Sequence, residues 1–187
     1  EYKDIISSAV CVNFKILNTS NLSSYKSMSN ELDVFIPIWT TTPWTLPANR
    51  AVALSNKINY VVVKTENKYL IIAKSLVARV MEKSGILDYE ILDDFKNGDF
   101  INLELQHPFY DLTVPAITAD HVTDENGTGA VHIAPGHGTD DYLAGIKNNL
   151  EVYNPVDDYG RFIEALPIFG GMKIRDCNED IIALLKK

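Results

Sequence analysis

The chain reads as an α+β domain, and three observations predict it. Short segments of alternating or continuous apolar character recur along most of the 187 residues. Clusters of Gly, Pro, Asn, Asp and Ser punctuate them at close intervals. Only two or three stretches carry the 3.6-residue spacing of a helix. Many short strands with so few helices imply a curved sheet or a small β-barrel-like core with helices packed on it.

Composition sets the bounds. A chain of this length supports one sizeable core, so residues 1–187 are expected to form a single domain. It opens on Glu1 without an initiator methionine, as a piece excised from a larger protein would. No apolar run approaches the roughly 20 residues that cross a bilayer, and no secretory signal stands at the start. Cys11 and Cys177 are too few for a disulfide framework, which points to a reducing, cytoplasmic setting. The net charge of −8 excludes broad electrostatic capture of a nucleic-acid backbone. It leaves room for a pocket that takes a single-stranded end.

In order, residues 8–17 predict an entering strand, with Val10, Val12, Phe14 and Ile16 on one face. Residues 18–30, rich in Ser and Asn, predict a surface loop. Residues 33–42 predict a second strand with Ile36, Ile38, Thr40 and Thr42 together, and Pro37 asks for an edge or bulged place in it. The prolines of Pro43-Trp-Thr-Leu-Pro47 end that strand. Residues 51–54, 60–64 and 69–73 are strands, the last two a hairpin. Residues 74–84 are a helix with Leu76, Val77, Val80 and Met81 inward, stopped by Gly85. Residues 87–92, 101–105 and 114–117 add strands, with a turn at 97–99. A final helix runs from Glu179, capped by Asn178, and docks through Ile181, Ile182, Leu184 and Leu185; Phe169-Gly170-Gly171 before it is a flexible corner.

The centre of the chain is Gly127-Thr-Gly-Ala-Val-His-Ile-Ala-Pro-Gly-His-Gly-Thr-Asp-Asp141. Residues 130–134 predict a strand on which His132 faces away from Val131 and Ile133, between two alanines that leave space beside its ring. Thr139 is the expected cap of the next helix, Asp140 and Asp141 its first turn, and Tyr142, Leu143, Ile146 and Leu150 its buried face. Each feature has an ordinary explanation: the helix dipole favours early aspartates, and threonine is a good strand residue. His132, His137 and Asp141 match no zinc spacing.

Two segments together carry a family signal. Trp39-Thr-Thr-Thr-Pro-Trp-Thr-Leu-Pro-Ala-Asn49 and Gly127 to Tyr142 strongly resemble the editing insertion of class I isoleucyl-tRNA synthetases, in the bacterial wording Pro135-Gly-His-Gly138. Thr42 and His132 are similar to the isoleucyl pattern where valyl and leucyl relatives usually carry other residues. The chain lacks the synthetase's own nucleotide signatures, so the resemblance covers the editing domain alone.

The resemblance implies hydrolysis of valine misattached to tRNA(Ile), and of valyl-adenylate. A synthetic pocket for isoleucine rejects valine by only about 1–3 kcal/mol, a figure for which these synthetases are themselves the standard example. It further implies that Asp141 binds the α-ammonium and that His132 lines a side-chain pocket excluding isoleucine. Thr40, Thr41 and Thr42 would surround the terminal adenosine and the ester, with Trp39 at the same pocket. Thr40, Thr41, Thr42 and Asp141 are thereby the expected catalytic set, Trp39, Thr42, His132 and Asp141 the substrate contacts, and Thr40 and Thr41 the tRNA contacts. Expected partners are the tRNA(Ile) 3′ end and the rest of the synthetase, with no membrane. The domain needs no cofactor or metal; ATP and Mg, and any Zn, belong to other domains of the full-length family. No general base or nucleophile signature stands out, so attack by positioned water is the expected mechanism. Two other functions fit parts of the pattern: a non-catalytic module for the tRNA acceptor end, and a metal-dependent hydrolase using His132, His137 and Asp141.

Overall fold

The computed structural model describes residues 9–22, 32–95, 99 and 102–186. Nine strands form one mixed sheet: β1 (Val10–Ile16), β2 (Val34–Thr40), β3 (Ala51–Leu54), β4 (Tyr60–Lys64), β5 (Tyr69–Ala73), β6 (Glu90–Phe95), β7 (Glu104–Gln106), β8 (Thr113–Thr118) and β9 (Val131–Ile133). Their order is β6-β4-β5-β2-β1-β7-β8-β3-β9. Three helices accompany them, α1 (Val77–Lys83), α2 (Thr139–Lys147) and α3 (Cys177–Leu185). β9, last in that order, comes back into contact with β2. The sheet therefore curls toward a barrel but stays open, and the α+β expectation holds in that form.

Apolar alternation chose the strands well. Val12, Phe14 and Ile16 are buried along β1, whose antiparallel register sets Phe14 opposite Ile36 and Val12 opposite Ile38. β3, β4 and β5 match their predicted bounds, and β4 and β5 form the expected hairpin. All four residues of β3 and all five of β5 are buried, which explains their continuous apolar runs. β5 pairs with β2 only at Val34 and Phe35, so Pro37 lies beyond that ladder, where its missing N–H costs nothing there.

Other expectations need correction. β6 begins three residues later than predicted, and β7 covers only the end of 101–105. The predicted helix 74–84 opens as a short 3-10 turn, Lys74–Leu76, before α1. Gly138, in extended backbone, caps α2; Thr139 is already helical. Tyr142, Leu143 and Ile146 are 46, 60 and 52 % exposed, and the helix buries Ala144 and Gly145 instead. The cause is close approach: a Cβ on Gly145 would stand 2.9 Å from the Pro135 ring, so only small residues let α2 settle there. Asp176, not Asn178, precedes α3, and Asn178 Oδ1 instead accepts the Trp44 N–H at 3.2 Å. The 169–171 corner is tightly held, because a Cβ on Gly170 would overlap the Glu164 carbonyl. Most of the 18–30 loop and part of the 97–99 turn lie outside the described residues.

Candidate functional site

Pro43 ends β2, and the chain turns through a 3-10 helix, Pro43–Ala48, into β3. β3 then pairs antiparallel with β9, setting Val52 opposite His132. Only ten residues separate the end of β2 from the start of β3, so this tight route carries the threonine run to the side of β9. Gly129 fixes the approach from the other side. Its φ of +83° and its packing against Ala73 exclude a side chain, and its carbonyl accepts the Tyr60 hydroxyl at 2.6 Å.

The threonines are not equivalent. Thr40 is buried, whereas Thr41 and Thr42 are exposed. Thr40 Oγ1 accepts the Thr42 N–H at 3.1 Å and lies 3.4 Å from Thr42 Oγ1. Thr45, three residues on, gives its hydroxyl proton to Thr42 O at 2.9 Å and meets His132 Nε2 at 3.0 Å. A hydroxyl has one proton. Both contacts are satisfied together when His132 Nε2 is the N–H and donates to Thr45, which leaves Nδ1 a bare lone pair. Nδ1 is buried and has no hydrogen-bond partner among the described residues, on a residue only 8 % exposed. Burial pushes the His132 imidazole down to about 4, with His107 and His137 adding to the effect, so the ring is neutral at physiological pH.

Asp141 reaches back from the first turn of α2, and its Oδ2 accepts the Ala134 N–H at 2.9 Å. Ala134 stands two residues beyond His132 on the same side of the chain, so the carboxylate is tied to the end of the histidine's strand. Burial raises its pKa; the Ala134 bond and the nearby His121 oppose that, and Asp140 adds to it. No Lys or Arg pairs with it among the described residues. A half-buried carboxylate without a cation is poised to receive one.

The remaining candidates sit around this core. Trp39 faces the opposite side of β2 from Thr40, 40 % exposed, beside Gly127 and with Lys83 Nζ 5.9 Å from its ring. His137 stacks edge-on to Trp44 with 5.1 Å between ring centres, and its buried Nε2 also has no hydrogen-bond partner among the described residues. Asp140 is exposed and lines a separate cavity of about 210 Å³ with His121, Leu143 and Lys147. Among the described residues no group of three His, Cys, Asp or Glu is gathered that could hold a metal ion. A cavity of about 630 Å³ lies elsewhere, beside Cys11, Pro37, Leu70 and Val80, and contains none of the motif residues.

Sequence reasoning missed Thr45 and His121. Thr45 was within reach: it falls inside the quoted Trp39 to Asn49 segment, one 3-10 turn after Thr42. His121 carried no signal, because the turn after β8 has no periodicity and its partner α2 is distant in sequence.

Comparison with known proteins shows the family and the fold. Residues 22–165 match the family described as the leucyl-tRNA synthetase editing domain. The isoleucine–tRNA ligase of Coxiella burnetii is 45 % identical over 99 % of this chain and 20 % of its own length. Those of Vibrio campbellii and Legionella pneumophila are each 43 % identical over all of this chain, and 21 % and 20 % of theirs. The chain thus spans about a fifth of the relatives it matches. In fold it is similar to the editing domain of the Plasmodium falciparum cytosolic leucyl-tRNA synthetase, with a TM-score of 0.74 at 12 % identity over 95 % of this chain and 96 % of that one. The Plasmodium knowlesi counterpart gives 0.73 at 10 % identity over 100 % and 97 %. The chain belongs to the editing-domain family of class I aminoacyl-tRNA synthetases, and it corresponds to the segment that carries this domain in bacterial isoleucine–tRNA ligases.

Proposed function

We propose that this domain hydrolyses the ester of valine misattached to tRNA(Ile), as the post-transfer editing site of an isoleucyl-tRNA synthetase. The observation that carries the reading is Asp141: a half-buried carboxylate anchored through one oxygen to the Ala134 N–H and lacking a Lys or Arg ion-pair partner among the described residues. An α-ammonium supplies the missing cation. The amino-acid side chain then lies toward His132, whose neutral ring and buried setting limit its size. The terminal ribose faces the Thr40 to Thr42 turn, with Thr41 and Thr42 exposed to it. Trp39 lies at the outer margin, where an exposed ring can meet the tRNA end.

No described group is placed as a general base with its own orienting partner. The chemistry is attack of a water oxygen on the ester carbonyl. The bond to the ribose oxygen breaks, valine leaves as the acid, and the proton passes to the released hydroxyl. Threonine hydroxyls and backbone amides hold the ester and water in line, and the neighbouring free ribose hydroxyl assists. Valyl-adenylate presents the same ammonium and side chain and fits the same contacts. The partners are the tRNA(Ile) 3′ end and the remainder of the synthetase, in the cytoplasm, and the reaction draws on no cofactor.

The test is Asp141→Ala in the full-length synthetase. Deacylation of valyl-tRNA(Ile) should fall at least about 100-fold, as loss of a charge-assisted contact in a desolvated site predicts, while isoleucine attachment continues. Unchanged deacylation would remove the ammonium anchor and with it this reading.

A further inference from the structure

One exposed side chain is held in a conformation that its own chemistry opposes. Among the described residues three other than glycine have a positive φ, and two of them, Asn102 and Asn149, are of the type that tolerates it. The third is Ile168, at φ +70°. A β-branched residue crowds its own backbone there. The Phe169 N–H donates to Pro167 O at 2.8 Å across it, an i to i+2 bond that makes the left-handed γ-turn, a rare and strained form.

The surrounding loop imposes this turn. The Gly170 N–H donates to Leu166 O at 3.0 Å, the Gly171 N–H to Phe162 O at 2.9 Å, and the Tyr110 hydroxyl to Pro167 O at 3.0 Å. Leu166 and Phe169 are both buried, so the turn sends them inward and leaves Ile168 between them 60 % exposed. A lone surface isoleucine needs no explanation, and neither does a left-handed turn built on glycine or asparagine. Strain maintained to display an apolar side chain does.

We infer that Ile168 is a docking peg that inserts into an apolar socket on the remainder of the synthetase chain. In the ligases that this chain matches, about four-fifths of the polypeptide lies outside the matching segment, so a partner surface is tethered close by. The arm that carries the peg suits protein rather than nucleic acid. Between residues 157 and 168, exposed Asp157, Asp158 and Glu164 stand against a single cation, Arg161, a balance that repels phosphates. A branched aliphatic side chain offers a base no stacking surface either. A socket removes that side chain from water, and the rigid loop lowers the ordering cost of docking. The inference rests on the chain being one domain of a longer synthetase and not on which ester the editing site cleaves.

The test uses the full-length synthetase and reads no hydrolysis. The thiol of an Ile168→Cys variant should react with a maleimide at least about tenfold more slowly than in the same variant unfolded in urea, as peptide mass spectrometry resolves. Ile168→Gly and Ile168→Asn relax the strained φ, so both fold while lacking the peg. With Ile168 docked, both should speed amide hydrogen exchange over residues 166–172 by at least about threefold, whereas Ile168→Leu stays near the parent rate. With Ile168 free, relief of strain slows that exchange instead. Slower or unchanged exchange in the Gly and Asn variants, or a thiol as reactive in the folded protein as in urea, overturns the inference and leaves the editing assignment standing. Protection that appears only after tRNA is added gives the surface to RNA and overturns it as well.

Discussion

His107 and His132 are both buried, both held near 4 mainly by burial, and yet they live in opposite kinds of surroundings. His107, in the turn after β7, uses every polar atom it has. Its Nε2 donates to Leu46 O at 3.0 Å, and its Nδ1 accepts the Phe109 and Tyr110 N–H groups at 3.3 and 3.1 Å. Its ring stacks on Tyr110 and meets Phe109 edge-on. His132 has one nitrogen satisfied and one bare. Burial and a depressed pKa therefore do not mark a functional histidine. What differs between the two is an unmade hydrogen bond, which His121 and His137 share with His132, while His107, fully bonded, braces the 3-10 helix.

The largest expected effect tests that contrast through stability. His107→Ala strips partners from one carbonyl and two amides and opens a hole in an aromatic cluster. It should cost about 3–4 kcal/mol in urea unfolding, against about 1–2 for His132→Ala, which breaks one bond and removes an atom that had no partner. Equal losses would dissolve the distinction.

A second expectation concerns pH. Both folded pKa values lie below the ordinary histidine value of 6.5, so the unfolded chain takes up protons first as pH falls. Stability is full above about 6.5 and declines toward pH 4, each histidine contributing up to about 3 kcal/mol. Substituting either by Gln should flatten the decline measured between pH 6.5 and 5. A slope indifferent to both changes would show that neither ring is as desolvated as its burial implies.

The smallest effect belongs to Asp141. Its raised pKa means that the folded state disfavours the charged carboxylate, so its contribution falls away as pH rises past the folded value. At neutral pH, Asp141→Asn should leave stability unchanged or raise it by up to about 1 kcal/mol, even as deacylation is lost. A clear loss of stability would recast Asp141 as a structural cap.

Much of the fold was legible because it rests on local rules. The continuous runs of β3 and β5 and the alternation of β1 carry their burial in the sequence itself. The candidate site was legible as clusters of residue types, the threonine run and the segment from Gly127 to Asp141, which the fold brings near each other. What stayed hidden depends on distance. The exposure of Tyr142, Leu143 and Ile146 follows from Gly145 meeting Pro135, and the true partner of Asn178 is an amide 134 positions away. No periodicity encodes such contacts. The tautomer of His132 is likewise a property of Thr45, which lies 87 residues earlier.

Under the proposed editing role, the carboxylate of Asp141 would bear on turnover as well as on recognition. An ester offers it an ammonium and no opposing charge. The product amino acid would offer the same ammonium joined to a fresh carboxylate beside Asp141, with which no Lys or Arg among the described residues forms an ion pair. Cleavage itself thus turns a welcomed guest into a repelled one, and free valine, however abundant, would be a poor inhibitor of the domain that releases it.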